Sequence, residues 1–298
     1  MAIKSFLIAG YGYVGSHLKK ALRKRYGEAV IITLSRSQAG SNGPVTEIDR
    51  HITLDLDEPV EWTGGELPDN PDAIFYLVPP PRTGLEDTRL SHFLSAIRKL
   101  RPGKIIGIST TGVYGDCKGA WVNEAFPVHP QTDRARRRVD MEEQLLSWSR
   151  HSGTPCIILR VPGIYGPGKV PVERLVRALP VLKETESPWS NRVHVDDLVQ
   201  ACIHAYLYAG QTDIFNISDG NPSTMTDFFM QVADAFDIPR PPVVSREEAR
   251  EKLSSGMISY LQESKKIDNQ KMIQELKVVL RYPDLATGLA ACRKDMEN

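Results

Sequence analysis

The sequence predicts an α/β chain: a doubly wound parallel sheet, with a smaller, mostly helical lobe toward the C-terminus. Three observations predict it. Strand-like and helix-like patterns alternate over the first two thirds of the 298 residues, as in a sheet whose crossover helices cover both faces. The strand-like runs are short and continuously apolar, as expected for strands buried on both sides. From Ser223 onward the patterns are mostly helical, with a proline-rich break at residues 239–242.

In chain order, a first strand over residues 3–9 passes directly into Gly10-Tyr11-Gly12-Tyr13-Val14-Gly15, and a helix follows over 14–25. A second strand covers 29–34, and a loop rich in Gly, Ser and Asn covers 35–44. Residues 51–57 read as a third strand or edge segment, followed by a Pro- and Gly-marked loop over 59–71. A buried-type strand over 73–78 stops at Pro79-Pro80-Pro81, which can continue neither a ladder nor a helix. Leu90, Phe93, Leu94, Ile97 and Leu100 share one face of a helix over 85–100. A strand over 104–109, a helix over 134–150 and a strand over 156–161 follow. Residues 162–190 are rich in Pro and Gly, with a short helical piece at 172–179. A brief strand at 193–195 leads to a helix over 196–209, whose Asp196 and Asp197 suit its N-terminus. Residues 214–217 read as the last sheet strand.

Bulk composition narrows the partners. Lys plus Arg and Asp plus Glu both number 37, so no global field favours nucleic acid or an anionic membrane surface. The N-terminal apolar run is too short for a signal peptide and no segment is long enough to span a bilayer. Cys117, Cys156, Cys202 and Cys292 lie far apart with no C-x-x-C. Neither a metal site nor a disulfide framework is suggested, and a reducing, cytoplasmic setting fits best. The expected partner is a small-molecule substrate.

Between a strand and a helix, a G-x-G-x-x-G has a physical role in dinucleotide binding. Gly10 permits a tight turn, Gly12 lets the backbone approach a pyrophosphate, and Gly15 lets the helix lie close to the strand. Tyr11, Tyr13 and Val14 complete the stretch, and the helix N-terminus offers unpaired N–H groups to the phosphates. The end of the second strand selects the cofactor. A carboxylate there would bind the ribose 2′-OH of NAD. The place reads Ser35-Arg36-Ser37. Arg36 either faces a 2′-phosphate as a charge-assisted fork, with the serines donating, or is a solvated loop arginine. The expectation is NADP(H), with NAD as second choice. Asp55, with Leu56 beside it, either reaches the adenine or simply ends a surface strand. Leu77, Val78 and Pro79, at the end of the 73–78 strand, are further candidate cofactor contacts. Ser109-Thr110-Thr111-Gly112-Val113-Tyr114-Gly115 ends another buried strand, where hydroxyls either meet a ligand or serve turn chemistry.

These stretches, with Arg160-Val161-Pro162-Gly163-Ile164-Tyr165-Gly166-Pro167-Gly168, Arg192-Val193-His194-Val195-Asp196-Asp197-Leu198 and Asn216-Ile217-Ser218-Asp219, stand in an order and spacing that covers nearly the whole chain. The chain resembles the NAD-dependent epimerase/dehydratase family, the extended short-chain dehydrogenases/reductases. The resemblance implies a Rossmann-type domain over 1–161 plus 193–218 and a substrate lobe over 162–192 plus 219–298. It implies hydride transfer at a carbonyl or hydroxyl carbon, most often of a nucleotide sugar. By position Thr110 matches the catalytic Ser/Thr and Ser109 borders the cofactor. Thr111, Tyr114, Arg192 and His194 lie where the family contacts substrate. Pro162, Gly163 and Ile164 lie beside the nicotinamide. Family dimers commonly form through the helices at 85–100 and 134–150, so a monomer or homodimer is expected.

One departure is serious. The family's Tyr-x-x-x-Lys pair falls on Arg134 and Arg138. A guanidinium stays protonated and cannot take over proton transfer. Arg138 can still hold a ribose, and Arg134 can act only as an electrostatic clamp; alternatively both are surface residues. This pattern is similar to the atypical YeeZ-like members of the family. Thr111-Gly112 also stand where sugar dehydratases carry Asp-Glu, which argues against dehydration. His194 and Tyr114 remain as candidate proton donors, although a His just before a helix also serves structure. The sequence thus predicts an NADP(H)-dependent oxidoreductase or epimerase acting on a carbonyl or hydroxyl compound such as a nucleotide sugar. The rival reading is a catalytically impaired NADP(H)-binding sensor or scaffold.

Overall fold

The computed structural model describes residues 3–37, 49–60 and 70–297. Of the two loops expected at 35–44 and 59–71, residues 38–44 and 61–69 lie outside the described residues. The elements are β1 (Ser5–Ala9), α1 (Tyr13–Arg25), β2 (Val30–Ser35), β3 (Arg50–Thr53), β4 (Ala73–Tyr76), α2 (Thr88–Ala96), β5 (Ile105–Thr110), β6 (Trp121–Val122), α3 (Asp133–Ser152) and β7 (Cys156–Val161). They continue with β8 (Gly163–Tyr165), α4 (Val172–Val176), β9 (Val181–Leu182), β10 (Trp189–Ser190), β11 (Arg192–His194), α5 (Val195–Leu207), β12 (Asp213–Asn216), β13 (Ser223–Thr224), α6 (Met225–Ala235), β14 (Val243–Val244), α7 (Arg246–Lys252), α8 (Ser255–Tyr260), β15 (Lys266–Ile267) and α9 (Leu285–Glu297).

The chain divides into two compact units. The first comprises Met1–Val113, Asp133–Arg160 and Val199–Phe215, and the second Tyr114–Thr132, Val161–Leu198 and Asn216–Asn298. Residues 114–132, grouped by the sequence pattern with the sheet, thus fall in the second unit. They do so because β6 pairs with β15, Trp121 opposite Lys266 and Val122 opposite Ile267.

The first unit is built on a seven-stranded sheet in the order β12-β7-β5-β4-β1-β2-β3. β1 runs parallel to both β2 and β4, with Leu7 opposite Ile32 on one side and Ile74 on the other. Strand order proceeds outward in opposite directions from the β1/β4 pair, which makes the carboxyl end of β1 a switch point where such sheets bind ligands. The strands are apolar throughout because both faces are covered. Leu7, Ile32, Ile74, Phe93, Ile105 and Ile158 are fully or almost fully buried in one core, and each such side chain contributes roughly 1.5–3 kcal/mol. The helix expected over 85–100 is shorter in fact. Asp87 accepts from the Leu90 N–H at 3.1 Å and caps it, leaving Leu85 outside and 54% exposed. The strand expected over 73–78 stops at Tyr76.

The second unit has its own core of Tyr165, Leu175, Phe228, Phe229, Val232 and Leu289. Its strands are two- and three-residue pairings, too short to leave a period in the sequence. That is why the stretch from Ser223 reads as mostly helical although it contributes β13, β14 and β15.

Candidate functional site

The turn from β1 into α1 is fixed by the main chain. The N–H groups of Gly10 and Tyr11 both donate to the Leu34 carbonyl at 2.9 Å, and the Gly12 N–H donates to the Gly10 carbonyl at 2.9 Å. Gly10 has φ +99°, and a side chain there would meet the main chain of Leu77 and Val78 at 2.8 Å. A side chain at Gly15 would meet the Gly10 carbonyl oxygen at 2.5 Å. Only glycine satisfies both demands. At Gly12 a side chain would meet nothing within 4 Å, so this backbone is open to an approaching group. Helix α1 has no side-chain cap and no acidic residue in its first turn, while Arg23, Lys24 and Arg25 lie in its last. Its N-terminal N–H groups and dipole are therefore available to an anion.

This turn is one wall of a cavity of about 260 Å³. Ser35, Arg36, Ser37, Leu54, Leu56, Leu77, Val78, Pro79 and Arg89 form the rest of its lining with Leu34. The predicted cofactor residues Gly10, Tyr11, Gly12, Ser35, Arg36, Ser37, Leu56, Leu77, Val78 and Pro79 thus meet in one place. Tyr13, Val14 and Gly15 lie just behind it, in the first turn of α1. Asp55 is not part of the lining: its carboxylate accepts from the Asp57 N–H at 3.0 Å and forms an Asx turn.

Sequence reasoning missed Arg89 and Asp57. Arg89 is buried and donates from Nε and Nη2 to the two carboxylate oxygens of Asp57 at 2.5 and 2.8 Å, and from Nη1 to the Pro79 carbonyl at 3.0 Å. The Arg89 guanidinium holds the Asp57 carboxyl below the usual carboxylate range. Arg36 approaches the same carboxylate only at 3.5 Å, with its side chain 62% exposed. A charged residue at an apolar helix face was the one available signal for Arg89, since it lies beside Leu90 on the face carrying Phe93.

The carboxyl ends of β4 and β5 carry a second cluster. Arg138 donates from Nη1 to the Ile108 carbonyl at 3.1 Å and reaches the Val78 carbonyl at 3.4 Å. Burial pulls its pKa down from the ordinary arginine value. Arg138 is therefore no surface residue: it is held by the Ile108 and Val78 carbonyls. Arg134, one turn earlier on α3, is half-buried. Ser109 is buried and donates to Glu142 at 2.5 Å, and Glu142 is paired to Arg160 at 2.7 Å. Both charged side chains are about 95% buried. Ser109 is thus committed to a packing network rather than left facing a ligand. Thr110 is half-exposed, with its Oγ1 accepting from the Gly112 N–H at 3.2 Å, while Thr111 is buried at the start of a 3-10 turn.

The remaining predicted residues belong to the second unit, and two of them behave differently from expectation. Tyr114 is 1% exposed and donates its hydroxyl to Asn216 at 2.8 Å. Asn216 is itself held by the Val122 and Asp268 carbonyls. The Tyr114 hydroxyl therefore joins main-chain segments and is not presented to a substrate. His194 is 1% exposed, and its Nδ1 accepts from the Asp196 N–H at 3.2 Å, so it caps α5. Its ring lies 4.0 Å from that of Tyr282 and 5.3 Å from that of Tyr165. Nε2 lies 3.8 Å from the Cys292 sulfur, so the imidazole is enclosed by protein and not presented to a substrate. Pro162 and Ile164 are half-buried and Gly163 is exposed, on and beside β8.

Arg192 is buried, with its guanidinium 4.0 Å from the Phe228 ring and its Nη atoms donating to Ser190 at 2.7 Å and Ser223 at 3.2 Å. Burial lowers its pKa to about 10, against the raising pull of Asp219 and Asp227. It stays charged at neutral pH with hydroxyl partners rather than a carboxylate at bonding distance, an arrangement suited to receiving an anionic group. Asp219 is also buried, which pushes its carboxyl up to about 7. Among the described residues, no group of His, Cys, Asp and Glu side chains can hold a metal ion, and no helix is long and apolar enough to cross a membrane.

A glycine turn at a sheet switch point, opening onto an anion-ready helix and a nucleotide-sized cavity, defines a dinucleotide-binding α/β protein. The chain belongs to the NAD dependent epimerase/dehydratase family, whose model matches residues 6–218. It is similar to Protein YeeZ of Escherichia coli strain K12, with 27% identity over 292 residues that cover 95% of this chain and 97% of that protein. Among solved structures it resembles a conserved protein of unknown function from Silicibacter pomeroyi DSS, with TM-score 0.79, 26% identity, and 99% and 100% of the two chains covered. It also shares its fold with UDP-glucuronic acid 4-epimerase from Bacillus cereus in complex with NAD, at TM-score 0.77, 17% identity, and 99% and 100% coverage.

Proposed function

We propose that the protein binds NADP(H) in preference to NAD(H) and acts as an oxidoreductase or epimerase on a carbonyl or hydroxyl compound such as a nucleotide sugar. The observation that carries the cofactor choice is the trio Arg36, Asp57 and Arg89. Asp57 is a carboxylate close to Arg36, and Arg89 already bonds both its oxygens. The rim of the cavity carries the Arg36 guanidinium as its exposed cation, beside the Ser37 hydroxyl, while the Ser35 hydroxyl donates to the Ser37 carbonyl. Such a rim suits a 2′-phosphate, and the described lining carries no carboxylate for a free 2′-OH.

The residues fit the cofactor, because Gly10 and Gly15 leave a cradle that a Cβ would fill. When bound, the nicotinamide supplies the hydride chemistry. The chain's own residues bind and orient. Thr110 positions the substrate oxygen. Arg138 fixes the ends of β4 and β5 and presents positive charge to the ribose. Arg134 serves as an electrostatic clamp, and Arg192 receives an anionic group of the substrate. The family model and the nucleotide-sugar epimerases that share the fold support this reading. Four buried free thiols suit the reducing, cytoplasmic setting.

A second reading is favoured by one observation. Tyr114 and His194 are enclosed, and Arg138 cannot shuttle a proton. General acid/base help is worth roughly 10²–10⁴-fold, so turnover would be slow, and an NADP(H)-binding sensor or scaffold is the alternative. Consumption of NADPH with a panel of aldehydes, ketones and keto-sugars separates the two. Turnover with any of them supports the enzyme; tight NADPH binding without turnover supports the scaffold.

A further inference from the structure

We infer that His51 is the positioning residue that gives the cofactor site its preference for a 2′-phosphate. The inference rests on the NADP(H) reading above. His51 lies on β3, directly opposite Thr33 of β2 in the parallel register. Its two ring nitrogens are both engaged. Nδ1 lies 2.8 Å from the Thr33 hydroxyl, and Nε2 lies 3.0 Å from the Ser37 carbonyl and 3.3 Å from the Ser35 hydroxyl.

The network assigns the tautomer. A carbonyl oxygen only accepts, so Nε2 carries the proton and donates to Ser37. In the neutral ring Nδ1 then accepts from the buried Thr33 hydroxyl at 2.8 Å, nearer than the hydroxyl's other acceptor, the Arg50 carbonyl at 3.4 Å. Ser35 Oγ donates to the same Ser37 carbonyl at 2.8 Å. Two donors thus draw the Ser37 carbonyl inward and close the turn Ser35-Arg36-Ser37 against the sheet edge. Within the turn the Arg36 side chain is 62% exposed, with Nη1 3.5 Å from Asp57. Arg36 is positioned by His51 through the main chain, without contact to it. The Tyr11 ring, 5.9 Å from the imidazole, completes the packing on the cavity side.

This geometry separates selectivity from overall binding. The pyrophosphate and adenosine parts of the cavity are built by Gly10, Gly12, Leu56 and Leu77, none of which is hydrogen-bonded to His51. Loosening the turn weakens the grip on a 2′-phosphate and leaves the rest of the nucleotide site in place.

The test is titration of the full chain with NADPH and with NADH, for wild type, His51→Phe, His51→Gln and Thr33→Val. His51→Phe keeps a planar ring and removes both bonds. It is expected to weaken NADPH binding by roughly three- to tenfold, as for one or two hydrogen bonds, and to leave NADH binding unchanged. His51→Gln, which can still donate to Ser37, recovers part of the loss. Thr33→Val removes the partner of Nδ1 and gives a smaller loss of the same kind; it also serves if His51→Phe fails to fold. Equal losses for both cofactors, or no loss in either His51→Phe or Thr33→Val, overturn the inference alone. A wild-type chain with no NADPH preference removes the cofactor reading, and this inference with it.

Discussion

The Arg89 guanidinium spans both carboxylate oxygens of Asp57, at 2.5 and 2.8 Å, and in doing so leaves Arg36 as the exposed cation at the mouth of the cavity. An acidic residue near the second strand is often read as a ribose ligand. Here the carboxylate, 40% exposed, is the counter-charge of a buried arginine that also donates to the Pro79 carbonyl. Asp57 and Arg89 link two walls of the cavity while Arg36 faces outward.

Arg36→Ala is expected to cost about tenfold in NADPH affinity, in line with loss of one charge-assisted contact at an exposed position. NADH affinity should not move. Fluorescence titration of each reduced nucleotide reads both numbers.

Gly10→Ala places a methyl 2.8 Å from the main chain of Leu77 and Val78 at a φ of +99°. Destabilisation of more than about 1 kcal/mol is expected from the backbone conformation alone, with further loss from the clash. A lowered thermal midpoint together with lost nucleotide binding is the expected result. A variant as stable as wild type would show that the turn is looser than described.

Glu142 and Arg160 form a pair that is buried on both sides. Removing one partner, as in Glu142→Gln or Arg160→Leu, is expected to cost about 3–5 kcal/mol, because a buried charge is left without compensation. A double replacement by Met should be less damaging than either single change. Denaturant unfolding of the three variants checks the order.

Asp219 carries a pH signature. Burial raises its carboxyl from 3.8 to about 7. The folded state then holds a proton that the unfolded state has released between pH 4 and 7. Stability should therefore fall as pH rises through that window. Asp219→Asn should flatten this part of the stability curve and gain most above pH 7. A wild-type curve that rises over the same interval would contradict the assignment.

Much of the first unit is legible in the sequence because its signals are local. The run into Gly10 and the turn into α1 are each written in consecutive residues. The arginines at 134 and 138 are legible by spacing alone. Other features depend on partners distant in sequence. His51 and Thr33 are 18 residues apart, and Arg89 and Asp57 are 32 apart; nothing local in either stretch announces the contact. Tyr114 and His194 misled for the same reason. Their types suit proton transfer, but Asn216 and the start of α5 claim them first. Arg160 did leave a trace, as a lone charge inside the apolar strand Cys156–Val161, and such a charge needs a buried partner.

The most direct measurement is a competition titration of the wild-type chain with NADPH and NADH at the same ionic strength. NADPH is expected to bind tighter by about tenfold or more, the scale of one charge-assisted phosphate contact. NADH binding as tightly as NADPH, or tighter, would contradict it.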